Sequence, residues 1–485
     1  MSDYNVLKNS FKIYPNSWHD LDDGCIFMAD DGAKDVLVVC GSKASGFSGE
    51  EKTVEGIGVK IAGLIHENAD VLRSLFPFTA PSPVLHEKRS VGTGDRLGLA
   101  TPGHIRVFRK YDAYPVFAQQ SIRELNLTGR TFADVMDSAT FAVFREDFEK
   151  PWGADGDHLK TFEEIEYALK YGFTMITLDC SEHINNDAAV LPDAEVEKLY
   201  KPDSTLEALY MGKTFKVGEY SVSFSDIEYK RAVLIYGEAI DYTVQVWEKY
   251  FKGKKNAPEL EMSIDETESV TTPYQHYFVA AELIRRGVNI TTLAPRFIGE
   301  FQKAIDYIGN VPDFDRDFAV HAAIAEALGY KISVHSGSDK FSVFPSIGKY
   351  TKGHFHLKTA GTNWLVAMQI ISEHDPSLYR EIHKYALKDA FAEASKYYHV
   401  TTDLSKVPDV DKLSDSELPS VFEQNDARQV IHITYGLILN KKNDDGSYAF
   451  RDKLFADWRT YAEEYAQKLS EHIGRHLEEV YKGFE

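Results

Sequence analysis

Histidines, carboxylates and basic residues recur in short strings through the middle of the chain. The strings are Gln119-Gln120, Asp155/Asp157/His158, Asp179/His183, Asp265/Glu266/Glu268, Arg296 with Glu300, His335/Asp339/Lys340 and Lys358-Thr359. Histidine and carboxylate are the usual ligands of Zn, Mn or Fe in enzymes, and three protein ligands leave a position for substrate. His158, Glu300 and His335 are the candidate set. Asp157 adjoins His158 but would point to the opposite face of a regular strand, which suits a base beside the ion rather than a ligand. Asp157 and Glu266 make a second constellation, two carboxyls able to exchange protons as acid and base. A third is anion reception: Lys340 and Lys358 stand among small residues, and Arg296 adds a fork suited to a carboxylate. A single histidine ordinarily serves structure, and most acids are simply solvated. The weight therefore rests on where the fold places these groups.

From about residue 90, short apolar runs alternate with amphipathic helical stretches, the pattern of a parallel α/β fold. The expected strands are Arg96–Ala100, Tyr114–Gln119, Gly153–His158, Thr174–Cys180, Glu259–Asp265, Asn289–Arg296, Lys331–His335 and Phe355–Thr359. Helices are expected over Thr161–Tyr171, with Thr161 as N-cap, and over Thr272–Arg286. Eight strands in roughly 270 residues match a (β/α)8 TIM barrel, in which function sits at the C-terminal strand ends. Every strand after the first ends in polar or titratable groups, so the scattered strings become a ring. Residues 1–88 read as a small N-terminal α/β region and 89–364 as the barrel, with an insertion near 181–227. Residues 365–485 read as a helical extension packed on the barrel or on another subunit of a homo-oligomer.

Composition narrows the partners. Lys plus Arg is 54 against 75 Asp plus Glu, a formal charge of −21, and no basic block offsets it. Such a surface repels phosphate backbones, so nucleic acid is not expected. Three cysteines without a C-x-x-C pair read as reduced thiols of a cytoplasmic protein. Cys180 is a lesser candidate as a nucleophile. No stretch of about 18 apolar residues suggests a membrane span. An open dinucleotide-binding sheet is disfavoured, because Gly92-Thr-Gly94-Asp-Arg-Leu-Gly98 has the wrong spacing and precedes its strand; no NAD is expected. The residues alone point to a metal-assisted barrel enzyme acting on a small anionic or polyhydroxylated molecule.

Ten strings in order carry a resemblance: GTGDRLGLATPGH (92–104), PVFAQQSIRE (115–124), GRTFADV (129–135), GADGDHLK (153–160), SIDETE (263–268), RFIGE (296–300), ISVHSGSDKFSVFP (332–345), FHLKTAGT (355–362), DLSKVP (403–408) and HITYG (432–436). They resemble the tagaturonate/fructuronate epimerase family, hexuronate C4-epimerases with activity on related ketohexoses in some members. The resemblance implies a cytoplasmic enzyme of hexuronate catabolism that interconverts D-tagaturonate and D-fructuronate with a divalent cation (Zn, Mn, Ni, Co or Fe). It implies Asp157 as proton acceptor, Glu266 as proton donor, and His158, Glu300 and His335 as metal ligands. Gln119, Arg296, Asp339, Lys340, Lys358 and Thr359 are the expected substrate contacts. The inverted carbon lies β to the ketone, so its hydrogen is not acidified by the carbonyl. A retro-aldol opening and re-addition is therefore the expected chemistry. A metal-dependent sugar isomerase or aldolase on the same barrel, or a non-catalytic sugar-acid binding protein, are the competing readings.

Overall fold

A computed structural model describes residues 4–484. Eight parallel strands close a barrel in chain order. They are β1 (Arg89–Gly92), β2 (Tyr114–Gln120), β3 (Gly153–Leu159), β4 (Met175–Asp179), β5 (Glu259–Ile264), β6 (Thr292–Pro295), β7 (Lys331–Val334) and β8 (Phe355–Lys358), with β8 pairing back to β1. Thr161 caps its helix as the sequence predicts, and Thr272, expected as the first residue of its helix, is instead its cap. Thr161 and Thr272 each accept the N–H of the third helical residue, while Glu164 and Gln275 reach back to the cap, a reciprocal pairing that satisfies two orphan donors.

The first strand differs from the sequence expectation. It is Arg89–Gly92, and residues 96–100 form a loop. The Asp95 carboxylate gathers the backbone N–H groups of Leu97, Gly98 and Ala100 at 2.7–3.1 Å, which removes them from any ladder. Gly94 and Gly98 both adopt positive φ there.

Side-chain alternation divides the strands in two. Leu260, Met262, Ile264, Val91, Ile332 and Leu357 join the hydrophobic core beneath the helices. The residues between them turn to the barrel axis, where most such barrels stack branched aliphatics. Here the axis is polar: Ser90, Asp155, Thr177, Glu261, Thr292, Lys331, His356 and Lys358 are all buried.

The N-terminal region is more strand-rich than expected. Six strands form an antiparallel sheet centred on the hairpin Gly24–Asp30 and Asp35–Cys40. One face, with Ile26, Met28, Leu37 and Val39, packs on Phe141 and Phe144 of the barrel helix Phe132–Glu146. Residues 181–223 supply three short helices and a hairpin before the long helix Asp226–Tyr250. At the other end, Asp375 caps the helix that restarts at Pro376. The last long helix, Ala462–Tyr481, lies along Thr101–Phe108 so closely that a Cβ on Gly103 would stand 2.8 Å from the Ala466 carbonyl oxygen. Leu469, Ile473 and Leu477 are fully buried there, so the apolar stripe packs on the barrel. Among the described residues no helix is long and apolar enough to cross a membrane.

Candidate active site

The C-terminal mouth of the barrel opens into a cavity of about 1030 Å³. One irregularity shapes its floor. Between Ile176 and Leu178 the register on β3 advances by three residues, from Gly156 to Leu159, so β3 carries a bulge. His158 takes up the extra residue at φ +54°. The bulge brings the side chains of Asp157 and His158 to the same side, with Asp157 Oδ1 and His158 Nδ1 2.8 Å apart. The expectation that they point to opposite faces fails because strand geometry does not persist through this step.

His158, Asp265 and His335 form a group whose donor atoms all lie within 4.8 Å of one another. Asp265 follows β5 and His335 follows β7. The His335 ring is fixed at both nitrogens, with Nδ1 3.0 Å from Asp265 Oδ1 and Nε2 2.7 Å from Glu261 Oε1. Glu300 is not brought into this group. It lies on the cavity wall, 3.3 Å from His399 and 3.9 Å from Arg296. Asp265 was visible in the sequence as part of the ring but not singled out; the alternation Glu261, Ser263, Asp265 along one strand is the signal that marks it as inward-facing.

Beneath the group lies a charged layer. Lys358 Nζ meets Asp157 at 2.7 Å, Asp155 and Glu261 at 2.9 Å, and the Thr177 hydroxyl at 2.5 Å. Burial alone would disfavour this ammonium, yet the surrounding carboxylates raise its pKa well above the usual lysine range. In return Lys358 and His158 hold Asp157 well below the ordinary carboxylate range, against the opposing effect of burial. Asp155, fully buried, is pushed up to about 6 by burial. His158 is driven up to about 10 because Asp157 outweighs burial, and His335 also rises, mainly through Asp265.

Carboxylates thus draw positive charge onto both imidazoles. A divalent cation answers the same demand, and two imidazole nitrogens with one carboxylate oxygen suit a first-row metal ion. The residues present fit such a group.

The other expected contacts divide in two. Gln119 lines the cavity, buried, with Oε1 unpartnered, and leaves no room for a Cβ on Gly92. Glu266 lines it and stands 4.0 Å from His158 Nε2, and Arg296 lines it while donating to the Thr267 carbonyl. Lys340, Thr359 and Asp339 instead direct their polar atoms into the protein. Lys340 donates to the carbonyls of Gln302, Ile305 and Ser338 at 2.6–2.8 Å, and burial lowers it to about 7. The Thr359 hydroxyl ties to Gly92 O at 3.1 Å. Asp339 is held by Arg428 and His472, both at 2.8 Å. Cys180 is fully buried, its thiol pushed up to about 12 by burial, so it is no nucleophile.

Comparison with known proteins places the chain in a family. The tagaturonate epimerase family model matches residues 14–480. A tagaturonate/fructuronate epimerase of Thermotoga maritima is 41% identical over 473 residues, covering 96% of each chain. The fructuronate-tagaturonate epimerase of Cohnella laeviribosi superposes with a TM-score of 0.95 at 48% identity, covering 98% of each chain, in a native structure and in one with bound glycerol. The chain described here belongs to the tagaturonate epimerase family.

Proposed function

We propose that the chain interconverts D-tagaturonate and D-fructuronate by inverting the hydroxyl-bearing carbon β to the ketone, C4 in ketose numbering. Membership of the family supports the reaction, and the bulge that delivers Asp157 and His158 together is the observation that carries the residue roles. The glycerol held by the Cohnella laeviribosi relative supports a polyhydroxylated ligand. We assign His158, Asp265 and His335 as the residues that would hold a divalent cation. Bound there, the ion would act as a Lewis acid, polarising the ketone and steadying the negative charge that develops as the bond opens.

The chain's own groups then account for the proton movements. Asp157, kept ionised by Lys358 and His158, accepts the C4 hydroxyl proton. The C4–O electrons form the aldehyde as the C3–C4 bond opens, and its electron pair passes into an enediolate across C2 and C3. The three-carbon aldehyde turns and presents its other face, C3 adds back, and Glu266 protonates the new C4 oxygen. Reversal needs the same two carboxyls in exchanged roles, which explains why both an anchored acid and a solvent-exposed one border the site. Closing C3–C4 before the fragments escape requires a walled cavity, and the mouth supplies one from the side chains of Phe301, Tyr397 and Tyr398.

The test is incubation with D-fructuronate and a series of divalent ions, followed by NMR. Tagaturonate should appear and trapping agents should capture three-carbon fragments. No tagaturonate with any ion removes the reaction; turnover with solvent deuterium at C4 and no fragments removes the aldol route.

A further inference from the structure

A uronate brings a carboxylate into a cavity already rich in acids, so a cation on its wall must be available to receive it. Six lysines and arginines line the mouth: Arg96, Arg123, Lys160, Arg296, Lys303 and Lys358. Four are already engaged by acids. Arg96 pairs with Glu124 at 2.6 Å, Lys160 with Asp179 at 3.6 Å, Arg296 with Glu300 at 3.9 Å, and Lys358 with its three carboxylates. Arg123 is exposed, lies over the Tyr398 ring at 4.2 Å and donates to the Tyr397 carbonyl. Lys303 differs from all of these. It is half-buried, and its Nζ donates to the Ser336 hydroxyl at 2.9 Å, with no carboxylate in ion-pair range among the described residues.

Two further observations bear on this corner. Ser336 directly follows His335, so Lys303 is one hydroxyl away from the segment that carries a proposed metal ligand. A ketone seated at His158 and His335 would leave the remainder of a six-carbon chain to extend toward it. Other cations stand near this corner. His432 lines the same cavity, fully buried with neither ring nitrogen partnered, and is kept neutral by burial and then by the charges of Arg96, Lys303 and Arg428.

We propose that Lys303 is the receptor for the substrate carboxylate and so sets the preference for uronates over neutral ketoses. The proposal rests on the uronate reading above. Its geometry is a half-desolvated ammonium with two N–H donors left, which strengthens a charge-assisted hydrogen bond relative to one in open water.

The experiment uses the full chain loaded with an activating divalent ion, and the variants K303M, K303Q, K303R and R123M. Kinetics are measured on D-fructuronate, and competitive inhibition is measured with D-gluconate against its neutral counterpart D-glucitol. Both neutral variants should lose roughly 10- to 100-fold in kcat/KM, carried mostly by KM. The preference for gluconate over glucitol should fall by a similar factor, K303R should recover part of it, and R123M should retain it. Melting temperatures identify a variant that has not folded, and the second neutral variant then carries the test. Retained gluconate preference in K303M and K303Q overturns the proposal, as does its loss in R123M alone. A wild-type protein that prefers gluconate yet never converts fructuronate would strike the epimerase reading and leave the receptor standing.

Discussion

Two lysines on the axis of one barrel, Lys358 near the C-terminal mouth and Lys331 near the N-terminal floor, show opposite solutions to burying an amine. Lys358 is surrounded by three carboxylates and remains charged far above the ordinary lysine range. Lys331 donates to the Glu87 carbonyl at 2.5 Å and to the Ser90 hydroxyl at 2.9 Å, and burial lowers it to about 7. The histidines repeat the contrast. His335, between Asp265 and Glu261, rises, whereas His356, bonded to Ser90, is lowered by burial to about 3. Each end also opens on a cavity, about 1030 Å³ at the mouth and about 960 Å³ at the floor. Size therefore does not mark the working end. Charge compensation on the axis does: at the mouth Lys358 sits among carboxylates that pair in turn with His158 and His335, whereas at the floor Lys331 and His356 meet only neutral partners and are lowered by burial.

The largest effect should come from breaking that compensation. Lys358→Met leaves Asp155, Asp157 and Glu261 facing one another without their shared ammonium, and removing one partner of a buried charged set costs about 3–5 kcal/mol. It also releases the proposed base, so kcat should fall by about 10²–10⁴-fold. Lys331→Met removes two hydrogen bonds from an amine that burial has made easier to deprotonate and should cost about 1–2 kcal/mol with modest change in kcat. Denaturant unfolding and steady-state kinetics on both variants check this. Equal losses would abolish the distinction between the two ends.

The next comparison separates Asp265 from Glu300. His158→Ala, Asp265→Ala and His335→Ala should each lose bound metal after dialysis and more than about 100-fold in kcat, beyond what outer-sphere changes around metals typically cause. Glu300→Gln should keep its metal and remain within about tenfold of wild type. Elemental analysis of the dialysed proteins decides the matter, and a metal-free Glu300→Gln beside a metal-replete Asp265→Ala would restore Glu300 to the ligand set.

That choice shows where the sequence was readable. Seven of the eight barrel strands, the Thr161 cap and the inward histidines follow from side-chain periodicity and cap chemistry, which are local. The first strand was misplaced because Asp95 folds its neighbours into a loop through hydrogen bonds that depend on tertiary closure. Regular strand alternation puts Asp157 on the face opposite His158, and the bulge that overturns this is one residue of backbone strain with no side-chain signature of its own. The anion receptors were the least readable. Lys340 and Lys358 look available as letters, and only the folded chain reveals the carbonyls and carboxylates that occupy them. Lys303, with no motif to draw attention to it, emerges once the partners of the other cations are known.

The last comparison concerns pH, and it distinguishes the two lysines by sign. Lys331 has a folded pKa of about 7 against an ordinary value of 10.5, so between those limits the unfolded chain binds a proton that the folded chain does not. Stability from this group therefore rises with pH across that window, by at most about 1.4 kcal/mol per unit. Lys340, also near 7, adds a slope of the same sign. Lys358 does the reverse: its contribution is complete below 10.5 and is lost only as pH climbs through its higher folded value. Unfolding free energies measured from pH 7 to 10 should thus show a shallower rise in Lys331→Met than in wild type. An unchanged slope would mean that Lys331 stays protonated in the fold, and the floor of the barrel would then carry charge as the mouth does.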